Sequence, residues 1–187
     1  MTDKADKLNR LRECGAFLEG HFLLSSGRHS DVYIEKFRLL ERPDLTGMFA
    51  SDIAKHFSGV PLDLVVGPLT GGVIVAHEVA KLLSRPLAFP ERIDGVMRWR
   101  RGFKITQGMR VLICEDVITT GKSVGEVLTA VEREGGEVIG IGCLIQRGET
   151  DLSPTPYPVI KLALQSWTPE ECPLCEQGMP LEKRGSR

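Results

Sequence analysis

The sequence has no apolar run long enough to cross a bilayer as a helix; its longest, such as Val138 to Ile145, are short and interrupted by glycines. A membrane-spanning protein is therefore not expected. It also lacks an excess of basic charge: 24 lysines and arginines stand against 25 acids, for a net charge of -1. Proteins devoted to non-specific nucleic-acid binding carry a basic surplus, so nucleic acid is not the expected partner. The opening residues, MTDKADKLNRLRE, lack the apolar stretch of a secretory signal, and a cytoplasmic location is expected. No G-x-G-x-x-G follows any strand-like segment, which leaves a dinucleotide-binding fold without support.

Cysteines are few and odd in number: Cys14, Cys114, Cys143, Cys172 and Cys175. That set does not suit a secreted disulfide framework. Cys172-Pro-Leu-Cys175 has the gap of half a zinc site, but four ligands are normally needed. His21, His29, His56 and His77 show no metal-ligand spacing. The expectation is two reduced cysteines in a C-terminal segment and no protein-ligated metal.

What is present is the material of one α/β domain. A length of 187 residues, 42% hydrophobic and 26% charged, suits a single globular domain. Apolar runs alternate with helical periodicity through the middle, the pattern of βαβ units and a parallel sheet. Strands are expected over Leu62–Val66, Leu87–Phe89, Arg110–Cys114, Val138–Ile145 and Val159–Leu164. Helices are expected over about 73–83, from Ala76, Val79, Ala80 and Leu83, and from near Ser123, where Val124, Val127, Leu128 and Val131 form one stripe. An N-terminal helix carrying Leu8, Leu11 and Cys14 precedes a strand-and-turn segment, and the proline-rich stretch after Gly148 reads as irregular chain. Residues 90–104 are polar, carry Arg92, Arg98, Arg100 and Arg101, and have little apolar surface to hold them on their own domain.

The sharpest signal is Val111-Leu112-Ile113-Cys114-Glu115-Asp116-Val117-Ile118-Thr119-Thr120-Gly121-Lys122-Ser123. A strand delivers two carboxylates, then a hydroxyl-rich loop, then a helix start. In an open α/β sheet ligands bind at such strand ends. Free N–H groups and the positive end of the helix dipole suit a phosphate there. Glu115 and Asp116 would repel a bare phosphate, so they should meet hydroxyls or a divalent metal. A phosphate beside a diol describes a sugar phosphate. Gly121-Lys122-Ser123 resembles the end of a Walker A loop, but Asp116 stands where that motif needs its first glycine.

This motif resembles that of the type I phosphoribosyltransferases, which bind 5-phosphoribosyl 1-pyrophosphate (PRPP). From about Gly15 through Gly148 the chain is similar to the bacterial orotate phosphoribosyltransferase family, with further likeness in the tail Lys183-Arg184-Gly185-Ser186-Arg187. The resemblance implies a central parallel sheet flanked by helices with a small N-terminal hood: residues 1–40 as hood, 41–150 as core and 151–187 as C-terminal extension of one domain. It implies that Glu115 and Asp116 bind the ribose hydroxyls, that Val117, Ile118, Thr119, Thr120, Gly121, Lys122 and Ser123 hold the 5′-phosphate, and that Thr119 also meets orotate. Arg147 would bind the orotate carboxylate, Tyr33 and Ile34 the base, and Thr70 and Gly71, within Gly67–Gly72, the pyrophosphate.

Well-known members carry lysines where Ser25 and Gly71 stand, and their mobile loop has lysines and a histidine. Here Arg92 is the residue expected to take over a loop lysine's role, so the expected catalytic set is Asp116, Glu115 and Arg92. The resemblance further implies Mg²⁺ bound mainly through the substrate, and a homodimer whose loop reaches the partner's site. The expected activity is transfer of the phosphoribosyl group from PRPP to orotate in pyrimidine biosynthesis. Two alternatives stand beside it: a purine-salvage phosphoribosyltransferase, and a non-catalytic regulator that senses PRPP or a nucleotide on the same fold.

Overall fold

A computed structural model describes residues 4–184. The chain divides into two compact units, Arg42–Lys161 and a second made of the chain up to Glu41 together with Leu162 onward. Both flanks of the sequence thus belong to one unit, and the chain rejoins it at Leu162 rather than near residue 151. Gly185, Ser186 and Arg187 of the tail resemblance lie outside the described residues.

The flanking unit opens with helix α1 (Lys4–Glu13), strands β1 (Phe17–Leu23) and β2 (His29–Ile34), and the short helix α2 (Lys36–Leu40). Strands β1 and β2 pair antiparallel, from Phe17 opposite Ile34 to Leu23 opposite His29. Leu11, Ala16 and Phe22 are buried, which explains why this charged segment folds at all.

The larger unit holds helix α3 (Pro43–Phe57), strand β3 (Leu64–Val66), helix α4 (Gly71–Leu83), strands β4 (Leu87–Ala88), β5 (Pro90–Ile93), β6 (Val96–Trp99) and β7 (Arg110–Ile118), helix α5 (Lys122–Arg133), and strands β8 (Glu137–Arg147) and β9 (Tyr157–Leu162). The main sheet has the order β4-β3-β7-β8-β9, and β4, β3, β7 and β8 run parallel. Its strands β3, β7 and β8 carry apolar runs through their middles, as a sheet covered on both faces requires. One core cluster joins Val111 and Ile113 of β7 to Val124, Val127, Ala130 and Val131 of α5. Helix α3 packs by Ile53 and Phe57 against Gly142 and Gly140 of β8, where no larger residue fits.

The flanking unit closes with a 3₁₀ turn (Pro169–Glu171), the short helix α6 (Pro173–Glu176) and strand β10 (Glu182–Lys183), which pairs parallel with β1. Among the described residues, no helix is long and apolar enough to cross a membrane.

Three differences from the sequence reading matter. Strand β7 runs to Ile118, four residues past the expected end at Cys114, because β8 pairs with it as far as Ile118 opposite Gln146. Helix α3 carries Leu45, Phe49, Ile53, Ala54 and Phe57 on its buried side, a pattern present in the sequence but not read there. Residues 90–99 of the arginine-rich segment form an antiparallel hairpin, β5 with β6, rather than a loose loop.

Candidate active site

The site of the larger unit grows from β3 and β7, adjacent parallel strands whose C-terminal ends feed helices at the same edge of the sheet. Helix α4 begins at Gly71 after the N-cap Thr70, and α5 begins at Lys122 after Gly121; neither N-cap side chain bonds its helix, while Val73 N–H donates to Pro68 O (3.1 Å) and Lys122 N–H to Thr120 Oγ1 (3.4 Å). The first N–H groups of a helix have no acceptor within it. The two helix starts therefore bring their other first-turn N–H groups and their positive dipole ends to neighbouring strand ends.

Glu115 and Asp116 stand inside β7, not on a loop, and are 7% and 2% exposed. The backbone holds both: Asp116 N–H donates to Glu115 Oε1 (3.0 Å), and Val117 N–H donates to Asp116 Oδ1 (2.5 Å). A small cleft of about 70 Å³ is lined by Glu115 and by Val117 to Val124. Thr119, Thr120, Lys122 and Ser123 are exposed along it. The cleft thus sets one buried carboxylate beside hydroxyls and the first turn of α5. That combination recognises an anion and hydroxyls together.

The loop after β3 closes on the same carboxylate. A methyl placed on Gly72 would lie 2.6 Å from Glu115 Oε1 and 2.7 Å from Pro68 Cδ, so only glycine lets α4 start this near the acid. Gly71 is buried beside it, and Thr70 is exposed. Arg147 ends β8, one residue beyond Gln146, which pairs with Ile118. Thr70, Gly71, Glu115 to Ser123 and Arg147 are accordingly carried on one sheet edge of one unit. Tyr33 and Ile34 belong to β2 of the flanking unit, where Ile34 is buried and the Tyr33 ring lies 5.7 Å from that of Phe22.

Arg92 sits in β5, donates to Gly95 O (3.1 Å), and forms an ion pair with Glu126 of α5. The guanidinium is thus held on its own unit in this structure. So is the hairpin: Met97 is buried in the core cluster, as is Ile105 just beyond it, and Trp99 Nε1–H donates to Ala130 O (3.1 Å). The arginines hid a period-2 pattern that points Met97 and Trp99 inward.

The site contains no ready nucleophile. Burial pushes the thiols of Cys114 and Cys143 well above the usual range, so neither supplies a thiolate beside the acids. Among the described residues, no third carboxylate, histidine or cysteine joins Glu115 and Asp116 as a metal-ligand group. A separate four-residue group of metal-ligand type, His21, His29, Cys172 and Cys175, lies in the flanking unit and was not anticipated.

Comparison with known proteins gives a consistent picture. Residues 47–174 match the model of the phosphoribosyl transferase domain. The chain is 46% identical over 171 residues to the orotate phosphoribosyltransferase of Caldanaerobacter subterraneus subsp. tengcongensis, covering 90% of each chain. It is 43% identical over 182 residues to that of Caldicellulosiruptor bescii, covering 96% of each. Among solved structures, orotate phosphoribosyltransferase from Aeropyrum pernix superposes with a TM-score of 0.70 at 29% identity, covering 82% of this chain and 92% of that one.

Proposed function

The chain belongs to the orotate phosphoribosyltransferases of the phosphoribosyl transferase domain family, and from that premise we propose how its own residues transfer the 5-phosphoribosyl group of PRPP to orotate. The products are orotidine 5′-phosphate and pyrophosphate. The observation that carries the assignment of roles is the pair of helix starts flanking the acid-bearing end of β7. PRPP has two anionic groups separated by a ribose diol. The α5 start and Thr119 to Ser123 take the 5′-phosphate, the α4 start with Thr70 and Gly71 takes the pyrophosphate, and Glu115 and Asp116 take the diol. Arg147 offers a planar fork to the orotate carboxylate, and Tyr33 and Ile34 are assigned to the base.

Without a protein nucleophile, orotate attacks the anomeric carbon directly as pyrophosphate leaves. Positive charge gathers on the ribose ring during that displacement, and Glu115 and Asp116 are the fixed negative groups nearest the diol. The chain's contribution is positioning and charge stabilisation. Glu115 and Asp116 are hard oxygen donors that fit Mg²⁺, but two carboxylates are too few for a protein cage, so the ion would be shared with the substrate's own oxygens. When bound, it neutralises charge on the departing pyrophosphate. Arg92 is assigned to the pyrophosphate across a homodimer, and all five cysteines being free suits a cytoplasmic enzyme.

The test is PRPP-dependent loss of orotate absorbance by the purified chain, run beside adenine, hypoxanthine and uracil. Turnover of orotate alone is expected. Turnover of a purine instead would establish the salvage reading, and none of any base would leave a nucleotide sensor.

A further inference from the structure

Four side chains of the flanking unit converge on one point, although they come from places 151 residues apart in the chain. His21 lies in β1 and His29 opens β2, while Cys172 and Cys175 bracket the start of α6. Their ligand atoms all lie within 4.8 Å of one another. His21, His29 and Cys172 are 2%, 5% and 1% exposed, and Cys175 closes the group at the surface. We propose that these four residues bind a structural zinc ion.

The distances fit. A tetrahedral zinc with bonds of about 2.3 Å to sulfur and about 2.0–2.1 Å to nitrogen sets ligand atoms roughly 3.4–3.8 Å apart. Here Cys172 Sγ and Cys175 Sγ lie 3.4 Å and 3.7 Å from His21 Nε2, and Cys175 Sγ lies 3.3 Å from His29 Nδ1. The two histidine nitrogens are 3.0 Å apart, so they open by a few tenths of an ångström to admit the ion.

The hydrogen bonding favours a cation over a network of thiols and imidazoles. His21 Nδ1 lies 2.9 Å from Met179 O, a carbonyl that can only accept, so Nδ1 carries the proton. With the Nδ1 proton so placed, a metal-ligating ring turns the lone pair of Nε2 toward the group. That one lone pair faces His29 Nδ1, Cys172 Sγ and Cys175 Sγ at once, and it can accept from one of them. A cation at the centre engages all four. A ligating histidine whose other nitrogen donates to a backbone carbonyl is the usual outer arrangement of a zinc site. The Cys172–Cys175 turn, closed by Cys175 N–H donating to Cys172 O (3.1 Å), brings the two sulfurs to one side. Two thiolates and two imidazoles suit zinc rather than a hard cation such as Mg²⁺.

The unit has a need for such a brace. It is built from fewer than about 70–80 residues, a size at which a core alone holds weakly and metals or disulfides commonly assist. The ion ties the C-terminal segment to the β1–β2 hairpin beside two short connections, the two-residue pairing of β10 with β1 and the bridge of His29 to Trp167.

The experiment is cobalt titration of the reduced, metal-stripped full chain, with zinc content measured before stripping. One zinc per chain is expected as isolated. One equivalent of Co²⁺ should give thiolate-to-cobalt charge transfer and the intense visible bands of a tetrahedral ion, both erased by added Zn²⁺. The bands should be lost in Cys175→Ser, a surface change that spares the buried residues, and in Cys172→Ser. Stripping should lower the melting temperature of the wild type and leave that of Cys175→Ser unmoved. Absence of cobalt bands in the folded, reduced wild type overturns the site, as does their persistence in both variants.

Discussion

Glu115 Oε1 and the α-carbon of Gly72 are packed so closely that a single methyl on the glycine would stand 2.6 Å from the oxygen. The contact couples the start of α4 to the acid of β7, so the loop proposed to take the pyrophosphate and the carboxylate proposed to take the diol are packed directly together. Gly72→Ala must push aside either the buried carboxylate or Pro68. We expect a loss of roughly tenfold or more in kcat/KM for PRPP, about 1.4 kcal/mol of transition-state stabilisation. Gly59→Ala, where nothing lies within 4 Å, serves as control and should be near neutral. Equal kinetics for the two variants would remove Glu115 from the diol.

Asp116→Asn separates function from stability. A side chain only 2% exposed would ordinarily be expected to matter for folding. Here, though, two adjacent carboxylates share a buried strand, and a neutral isostere removes both their repulsion and one desolvation cost. Turnover should fall by roughly a hundredfold or more, while the melting temperature holds or rises, as for other residues kept for function at the expense of stability. Near-normal activity would show that Asp116 does not serve the ribose.

How far the sequence reveals this site can be judged from three segments. Residues 111–123 were legible because strand, acids, hydroxyls and helix start follow one another along the chain, within reach of local rules. Their burial was not, since charge at 115 and 116 reads as a strand end and only the pairing with β8 carries the strand onward. In segment 90–104 a hairpin signal was present in Ile93-Asp94-Gly95-Val96, whose two central residues have φ of 49° and 79°, as a two-residue turn requires. Four arginines outweighed it by composition. The His21, His29, Cys172 and Cys175 group was beyond any spacing rule, because its halves meet through the β1–β10 pairing rather than through neighbouring positions.

Asp63 and Arg110 supply a test by pH. Arg110 donates twice to the Asp63 carboxylate (2.8 Å and 2.9 Å), and its backbone N–H adds a third bond at 2.9 Å. These bonds, the guanidinium's first, hold the carboxyl well below its ordinary value. A depressed folded-state value means the stabilisation is full above the ordinary carboxylate pKa of about 3.9 and is lost as pH falls below it. Both side chains are 40% exposed, so the effect is modest. The melting-temperature gap between wild type and Asp63→Asn should be constant above about pH 5 and shrink below about pH 4. A gap that widens on acidification would reverse the assignment.

The last prediction concerns Arg92 and assembly. The β5–β6 hairpin is anchored to α5 through Met97, Trp99 and the Arg92–Glu126 ion pair, so it does not swing freely as a loop would. Trans catalysis then requires only that the exposed guanidinium release Glu126 for a competing anion, and pyrophosphate, with more charge than one carboxylate, is such an anion. If Arg92 serves a partner's site, Arg92→Ala and Asp116→Asn are each nearly inactive alone yet complement each other. In a mixed two-fold dimer one site collects both defects and the other none. The two variants, co-expressed with different tags and purified as the mixed dimer, should recover about half of wild-type activity. Glu126→Gln removes the competing carboxylate and should lower the KM for PRPP, an effect that disappears when Arg92 is also replaced by alanine. A mixed dimer no more active than its parents places Arg92 at its own chain's site or outside catalysis, and the response of Glu126→Gln tells these two apart.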